Sequence, residues 1–281
     1  MNIKVMKNWI LLALVFVSFS SCELLEGDGD SGPDIVAGLK EALNVGARFA
    51  SDELSATDGY FGNALYKILL PEEVQTNIDA FKALEINVLV GTITGEQLYS
   101  TGSEALGIKS LQSIEDELIL GINRAAESAA TEAFPIFADA ITGITFSDAN
   151  NILFGGVDNA ATTFLRDNTF QALFSTYEPQ IQSAIDVVQV NDISVDQLYN
   201  NFITDYNDIL STSIPTGILT SSTLGELANL QVMEVTDLSE FATQRGLDGL
   251  FLRVEQEEGN IRNNAGARIS QILRDVFGQL D

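Results

Sequence analysis

Apolar positions recur at helical spacing along most of this chain. Ile35, Leu39, Leu43 and Ala47 share one face, with Val36, Ala42 and Ala50 beside them, which predicts a helix over about 34–51. A loop follows at 58–63 and a short extended piece at 68–70. Pro71 then stands at a helix first position with Glu72 and Glu73 behind it, where the fixed φ and the helix dipole favour them. Val74, Ile78, Phe81 and Leu84 form that helix's apolar stripe. Residues 86–107 have no clear period and read as an excursion, with a short hairpin around Gly91 to Gly95. A long helix is predicted over 109–131, with Leu111, Ile114, Leu118, Ile122, Ala125 and Ala129 facing inward.

Pro135 opens or kinks a helix running through Ile141, and Thr145 to Asp148 has the form of a capping box. The short helix behind it ends at Gly155-Gly156. Further helices are predicted over 158–176, over 179–189 after Glu178-Pro179, and from Ser194 through Ile209. Residues 211–235 read as a second excursion, and the chain closes with helices over 237–244, 246–258 and 266–279. No stretch alternates convincingly, so the predicted class is all-α, a multi-helix bundle of about eight to ten helices in one compact domain over 35–281.

The first residues follow another pattern. Lys4 and Lys7 precede an apolar run from Trp9 to Phe19, and small residues lead to Cys22. This is the layout of a secretory signal over 1–21. The run is about 11 residues, short of the roughly 20 that span a bilayer. Phe19-Ser-Ser-Cys22 resembles the lipobox of bacterial lipoproteins, which implies cleavage before Cys22 and acylation of its sulfur. Residues 22–34 then read as the lipidated cysteine and a flexible acidic tether. The expected place is the cell envelope, anchored by lipid, with the outer membrane favoured and the domain facing the periplasm or the cell surface.

Composition narrows the chemistry. The chain has 14 basic and 40 acidic residues. Removing 1–21 takes two lysines and no acid, so the processed chain carries a net charge of about −28. Nucleic-acid binding needs a basic footprint and is disfavoured. There is no histidine, and Cys22 is the one cysteine. Ser-His-Asp and Cys-His catalysis are thereby excluded, as is histidine-ligated zinc. Carboxylate pairs, Ser–Lys dyads, tyrosine and carboxylate-bound metals remain, but no Ser-x-x-Lys, phosphate-binding loop or nucleophile elbow occurs. Asp28-Gly-Asp30 lacks the later ligands of a calcium loop. No metal and no cofactor are expected.

Several motifs, taken in order, resemble the bacterial family catalogued as domain of unknown function 4197. They are Ala42 to Ala47, Ile68 to Glu73, Leu120 to Glu127, Pro135 to Ile141, Ser147 to Gly155 with Ala160 to Phe164, and Leu247 to Phe251 followed by Glu257-Glu258 and Ile261-Arg262. The likeness runs from about residue 36 to 279. It implies an exported helical protein, often lipid-anchored, with no established activity.

Candidate chemistry gathers in those motifs. Asn123, Arg124 and Glu127 lie on one helix, and Glu258 and Arg262 stand at i, i+4 in the favourable order, as do Arg253 and Glu257. They are surface ion pairs, or a partly buried network docking the last helices on the 109–131 helix, or a ligand site. Glu127, Asp139 and Asp148 come from neighbouring helices, and a carboxylate pair would suit glycoside cleavage; Asp148 also fits a helix cap. The phenylalanines read as core or as the lining of an acyl-chain cavity. The functional expectation is a non-enzymatic binding or interaction domain that takes a small molecule or an envelope protein near Arg124. The alternative is a carboxylate-dependent hydrolase acting on an envelope glycan or lipid.

Overall fold

The computed structural model describes residues 33–88, 91–143, 145–147, 149–216 and 219–281. The predicted leader, Cys22 and Asp148 lie outside the described residues. In chain order come α1 (Ile35–Leu54), α2 (Glu72–Lys82), β1 (Glu85–Val88), β2 (Gly91–Thr94) and α3 (Gly95–Thr101). Then follow α4 (Gln112–Ala130), α5 (Ala133–Gly143), α6 (Ala149–Phe154) and α7 (Ala160–Val187). Next are β3 (Gln189–Val190), β4 (Ile193–Ser194), α8 (Val195–Leu210), β5 (Ser213–Pro215), β6 (Ser221–Thr223) and α9 (Leu224–Ala228). The long α10 (Leu238–Asn263) and α11 (Gln271–Phe277) close the chain. The described residues are 68% helical, which places the protein in the all-α class.

Asp34 opens α1 by accepting a hydrogen bond from the Ala37 amide at 3.0 Å. Leu39, Ala42, Leu43, Gly46, Ala50 and Leu54 recur every three or four residues and are buried. That stripe seats α1 along α10 and also against α5 and α11. Small residues set the spacing: a Cβ built on Gly38 would lie 2.5 Å from Val276 of α11. The core is aliphatic and aromatic, with Phe137 against Phe251 at 5.0 Å between ring centres and Phe81 against both Tyr99 and Tyr206.

Two predicted breaks are absent. Pro179 lies inside α7, which runs unbroken from Ala160 to Val187. Proline forfeits one backbone hydrogen bond, but Tyr177, Ile181, Ala184 and Ile185 continue the buried stripe of Leu173. Breaking the helix would take four core side chains out of register. Likewise α10 is one helix across Gly246 and Gly249. Each glycine lowers helix propensity by about 1 kcal/mol, yet a Cβ on Gly249 would meet the Tyr60 ring at 2.8 Å. Here glycine serves the packing of a neighbour.

The excursions contain structure that periodicity does not reveal. Residues 86–107 hold the β1–β2 hairpin, with Ile86 opposite Ile93, and then α3. Residues 211–235 hold the β5–β6 hairpin and α9, which a Thr223–Glu226 capping box opens. With β3–β4 and α8, the chain passes three times from a helix through a hairpin into a helix capped by Thr94, Ser194 or Thr223. The first two passages are alike in sequence. Gln75-Thr-Asn-Ile-Asp79 and Thr94-Gly-Glu-Gln-Leu-Tyr99 are echoed by Gln182-Ser-Ala-Ile-Asp186 and Ser194-Val-Asp-Gln-Leu-Tyr199. The matched Ile78 and Ile185, Leu98 and Leu198, and Tyr99 and Tyr199 are all buried.

Asp237 starts α10 by accepting from the Ser239 amide at 2.9 Å, the Ser239 hydroxyl at 2.7 Å and the Glu240 amide at 3.2 Å. The Ser239 hydroxyl bond, above all, holds its carboxyl below the ordinary carboxylate range. A carboxyl depressed in the folded state contributes stability above its unfolded pKa and loses it as pH falls through the folded value. Asp237→Ala is therefore expected to cost about 1 kcal/mol at neutral pH. Thermal unfolding should show the gap between variant and parent narrowing once the pH drops below about 4.

Candidate functional site

Three consecutive contacts from α4 hold the chain between α1 and α2. Asn123 is fully buried. Its side-chain oxygen accepts from the Ile68 amide at 2.8 Å, and its nitrogen donates to the Ile68 carbonyl at 2.7 Å and the Ile119 carbonyl at 2.7 Å. An asparagine side chain thus pairs with both backbone groups of an extended residue, as a neighbouring strand would. One helical turn on, Glu127 Oε1 accepts from the Tyr60 and Phe61 amides, each at 3.2 Å. Its Oε2 accepts from Arg124 at 2.5 Å, and Arg124 reaches Asp58 at 2.7 Å. Asp58 has φ +67°, a left-handed backbone that aspartate tolerates better than most residues. The hydrogen bond to Glu127, chiefly, raises the Arg124 pKa above its ordinary value. Tyr60 completes the clamp by donating to the Gly246 carbonyl at 2.8 Å. Burial, ahead of the nearby Tyr177 and Glu127, lifts its phenol well above the ordinary range.

A second cluster lies on α10. Glu258 is fully buried, and Arg262 is 5% exposed. Glu258 accepts from the Ala161 amide at 3.0 Å, the Thr162 amide at 2.7 Å and the Thr162 hydroxyl at 2.6 Å. These amides belong to the first turn of α7, where helix donors lack partners within the helix. Arg262 donates to Glu258 at 2.7 and 2.8 Å and to the carbonyls of Ile152 and Leu153 at 3.0 Å each. Those carbonyls end α6. The pair therefore sits across the α6–α7 corner with the anion at a helix N-terminus and the cation at a helix C-terminus, the orientation both dipoles favour. Arg268, which sequence reasoning passed over, repeats the device. Buried to 3% exposure, it caps the Ile261 and Arg262 carbonyls of α10 and grips the Asp281 carboxylate through two bonds of 2.7 and 2.8 Å.

The six described candidates thus form two clusters and one outlier. Asn123, Arg124 and Glu127 act together on residues 58–68. Glu258 and Arg262 act on the α6–α7 corner, not on α4. Asp139 is exposed on α5, in a shallow groove with Pro135, Ile136, Ala172 and Thr176, and is not brought to Glu127. Arg253 bonds Glu257 at 3.2 Å, as its spacing suggests, but bonds Glu53 of α1 more closely, at 2.6 Å. Among the described residues no group of three or more carboxylates is placed to hold a metal ion, and no helix is long and apolar enough to cross a membrane.

Beside the α4 clamp lies a groove that no motif announced. Leu65, Lys67, Leu69 and Leu70 form one wall, with Glu72 and Gln75 at its end, and Phe241 and Arg245 of α10 form the other. Leu65 and Leu69 are 66% and 47% exposed. Lys67 stands 4.1 Å over the Phe61 ring, and Arg124 stands 5.8 Å from that ring's centre, so Phe61 joins clamp and groove. Arg245 lies over Phe241 at 5.6 Å, and its nearest carboxylate, Asp248, is 3.7 Å away. The signal in the sequence was compositional: two of the few cations of a strongly acidic chain stand next to apolar residues in segments joining predicted helices.

No curated protein and no solved structure matches the chain. Residues 30–95 and 96–278 match the family described as "Protein of unknown function (DUF4197)", and the chain belongs to that family.

Proposed function

We propose that this is the non-catalytic binding domain of a cell-envelope lipoprotein, tethered through Cys22. In this reading, its contact surface is the groove between residues 65–70 and α10. The observation that carries the reading is the occupancy of the buried carboxylates. Glu127 and Glu258 each accept at least three internal hydrogen bonds, and every one of those donors would lose its acceptor if the carboxylate turned to a substrate. A general acid or base must reach the reacting proton directly or through one water. The groove differs in kind. It combines exposed leucines with Lys67 and Arg245, which suits a segment carrying both apolar side chains and carboxylates.

Cross-linking in intact cells tests this reading. The expected result is one dominant envelope adduct that is lost in Lys67→Glu/Arg245→Glu, while thermal unfolding of that variant matches the parent. Clearing of peptidoglycan in a gel that disappears in Glu127→Gln would reverse the conclusion in favour of a hydrolase.

A further inference from the structure

We infer that the end of the helical domain around α6, α11 and the start of α1 seats directly on a lipid surface. This inference rests on the proposed anchor at Cys22.

The described chain begins at Pro33, next to the first turn of α1. That turn belongs to a definite end of the fold. Gly38 packs on Val276 of α11, and Lys40 donates to the Thr142 carbonyl at the end of α5. Arg262, at the last turn of α10, draws in the end of α6, the start of α7 through Glu258, and the Phe277 ring of α11 at 5.6 Å.

Four apolar side chains are exposed there: Val36 at 37%, Phe154 at 48%, Val157 at 52% and Ile269 at 63%. An open groove lies beside them, its floor apolar at Ile152, Val157, Ala160 and Phe164 and its rim polar at Asn151, Thr163 and Asp167. Other exposed leucines lie elsewhere. Leu65 and Leu69 face Phe241 and Arg245, which stand 21 and 17 residues up α10 from Arg262, or about 25–31 Å along the helix.

Chain length selects the occupant. Eleven residue steps separate Cys22 from Pro33 and reach at most about 40 Å. That is about the length of α10 itself, so the end bearing Pro33 meets the bilayer before the opposite end. An anchor also holds this face at a local concentration on the order of millimolar, at which a small apolar contact is enough to seat it. Charge then sets the lipid. Among the described residues, Asp34, Asp158, Asp167 and Asp275 are exposed at this end against one exposed cation, Arg274, while Asp281 is paired with Arg268, and the processed chain carries a net charge of about −28. The seat therefore prefers zwitterionic headgroups, and raising the anionic fraction weakens it, the reverse of a polybasic lipid binder.

The test uses the full processed protein reconstituted into vesicles of phosphatidylethanolamine and phosphatidylcholine. An environment-sensitive fluorophore is placed on Val157→Cys or on Val187→Cys. Val187 is 67% exposed at the other end of α7, about 40 Å away. The expected result is a several-fold rise and blue shift of emission at position 157, quenched by brominated lipid and reduced by added phosphatidylglycerol, with no change at 187. The pair Phe154→Asp/Ile269→Asp should abolish the effect at 157 while leaving thermal unfolding unchanged, since both side chains are exposed.

The mass of the purified protein reports the anchor separately. Acylated protein with position 157 unquenched, or with 157 and 187 responding equally, overturns the seat and leaves the anchor standing. Protein without acyl mass overturns the anchor and the seat that rests on it. A change at 157 that appears only when an envelope protein is added identifies the face as a protein interface, and the lipid assignment fails.

Discussion

Arg262→Ala is expected to destabilise the protein by about 3–5 kcal/mol, the range for breaking a buried ion pair from one side. In a domain of this size that lowers the thermal midpoint by about 6–20 °C. The loss has three parts. Glu258 remains at zero exposure with its charge no longer paired. The Ile152 and Leu153 carbonyls lose the buried cation that caps the end of α6. The guanidinium also leaves the face of Phe277. By comparison, an exposed pair such as Arg245–Asp248, with 53% and 28% of its side chains in solvent, contributes about 0–1 kcal/mol.

A double variant separates the pair from its capping role. A buried ion pair replaced on both sides by apolar residues is often neutral or even stabilising. Glu258→Leu/Arg262→Leu should not recover in this way. Four backbone groups, the amides of Ala161 and Thr162 and the carbonyls of Ile152 and Leu153, would still lack partners, and each such group costs about 1–3 kcal/mol when buried. Chemical denaturation should therefore place the double variant near the single one. Recovery to parental stability would show that the corner caps itself and that the pair is only a pair.

What the sequence made legible follows the range of each interaction. Helix faces are local, and the stripes of α1, α2, α4 and α8 were readable from spacing alone. The Glu258–Arg262 and Arg124–Glu127 contacts were readable for the same reason, being one turn apart. Their other partners were not. Glu258 caps a helix 97 residues away, and Arg262 caps one 110 residues away; nothing near Ala161 or Ile152 marks a helix end completed from outside. Arg268 was passed over because the reading set it within a helix over 266–279, where a lone arginine looks solvated, whereas it stands between α10 and α11. Pro179 and Gly246 misled because their local cost is about 1–3 kcal/mol, and the continuous burial of α7 and α10 outweighs it. The hairpin read around Gly91 to Gly95 is present as β1–β2, but the other two escaped because strands of two or three residues are too short to show a period. The Asn123, Arg124 and Glu127 group was legible as a group, but its target was not, since residues 58–68 form no regular element.

That target gives the second large effect, at Asn123. Asn123→Ala is expected to cost about 3 kcal/mol, because the Ile68 amide and carbonyl are buried and lose both partners at once. Asn123→Asp is the sharper experiment. Aspartate keeps the shape and the acceptor facing the Ile68 amide, but it offers no donor. Its second oxygen would stand 2.7 Å from the carbonyls of Ile68 and Ile119, where the amide nitrogen now donates to both. A buried carboxylate against two carbonyl oxygens is unfavourable unless it is protonated. The aspartate variant should therefore be less stable than the alanine variant at pH 7 and recover toward it as the pH is lowered. The sign follows from linkage: a carboxyl whose folded pKa is raised binds a proton more readily in the folded state, so folding gains as protons become available. Hydrogen exchange locates the effect. If Asn123 holds the 58–70 segment as a strand would, the Ile68 amide should lose protection in both variants while amides in the middle of α10 keep theirs. Uniform loss across the fold would instead mark Asn123 as a general core residue with no particular hold on that segment.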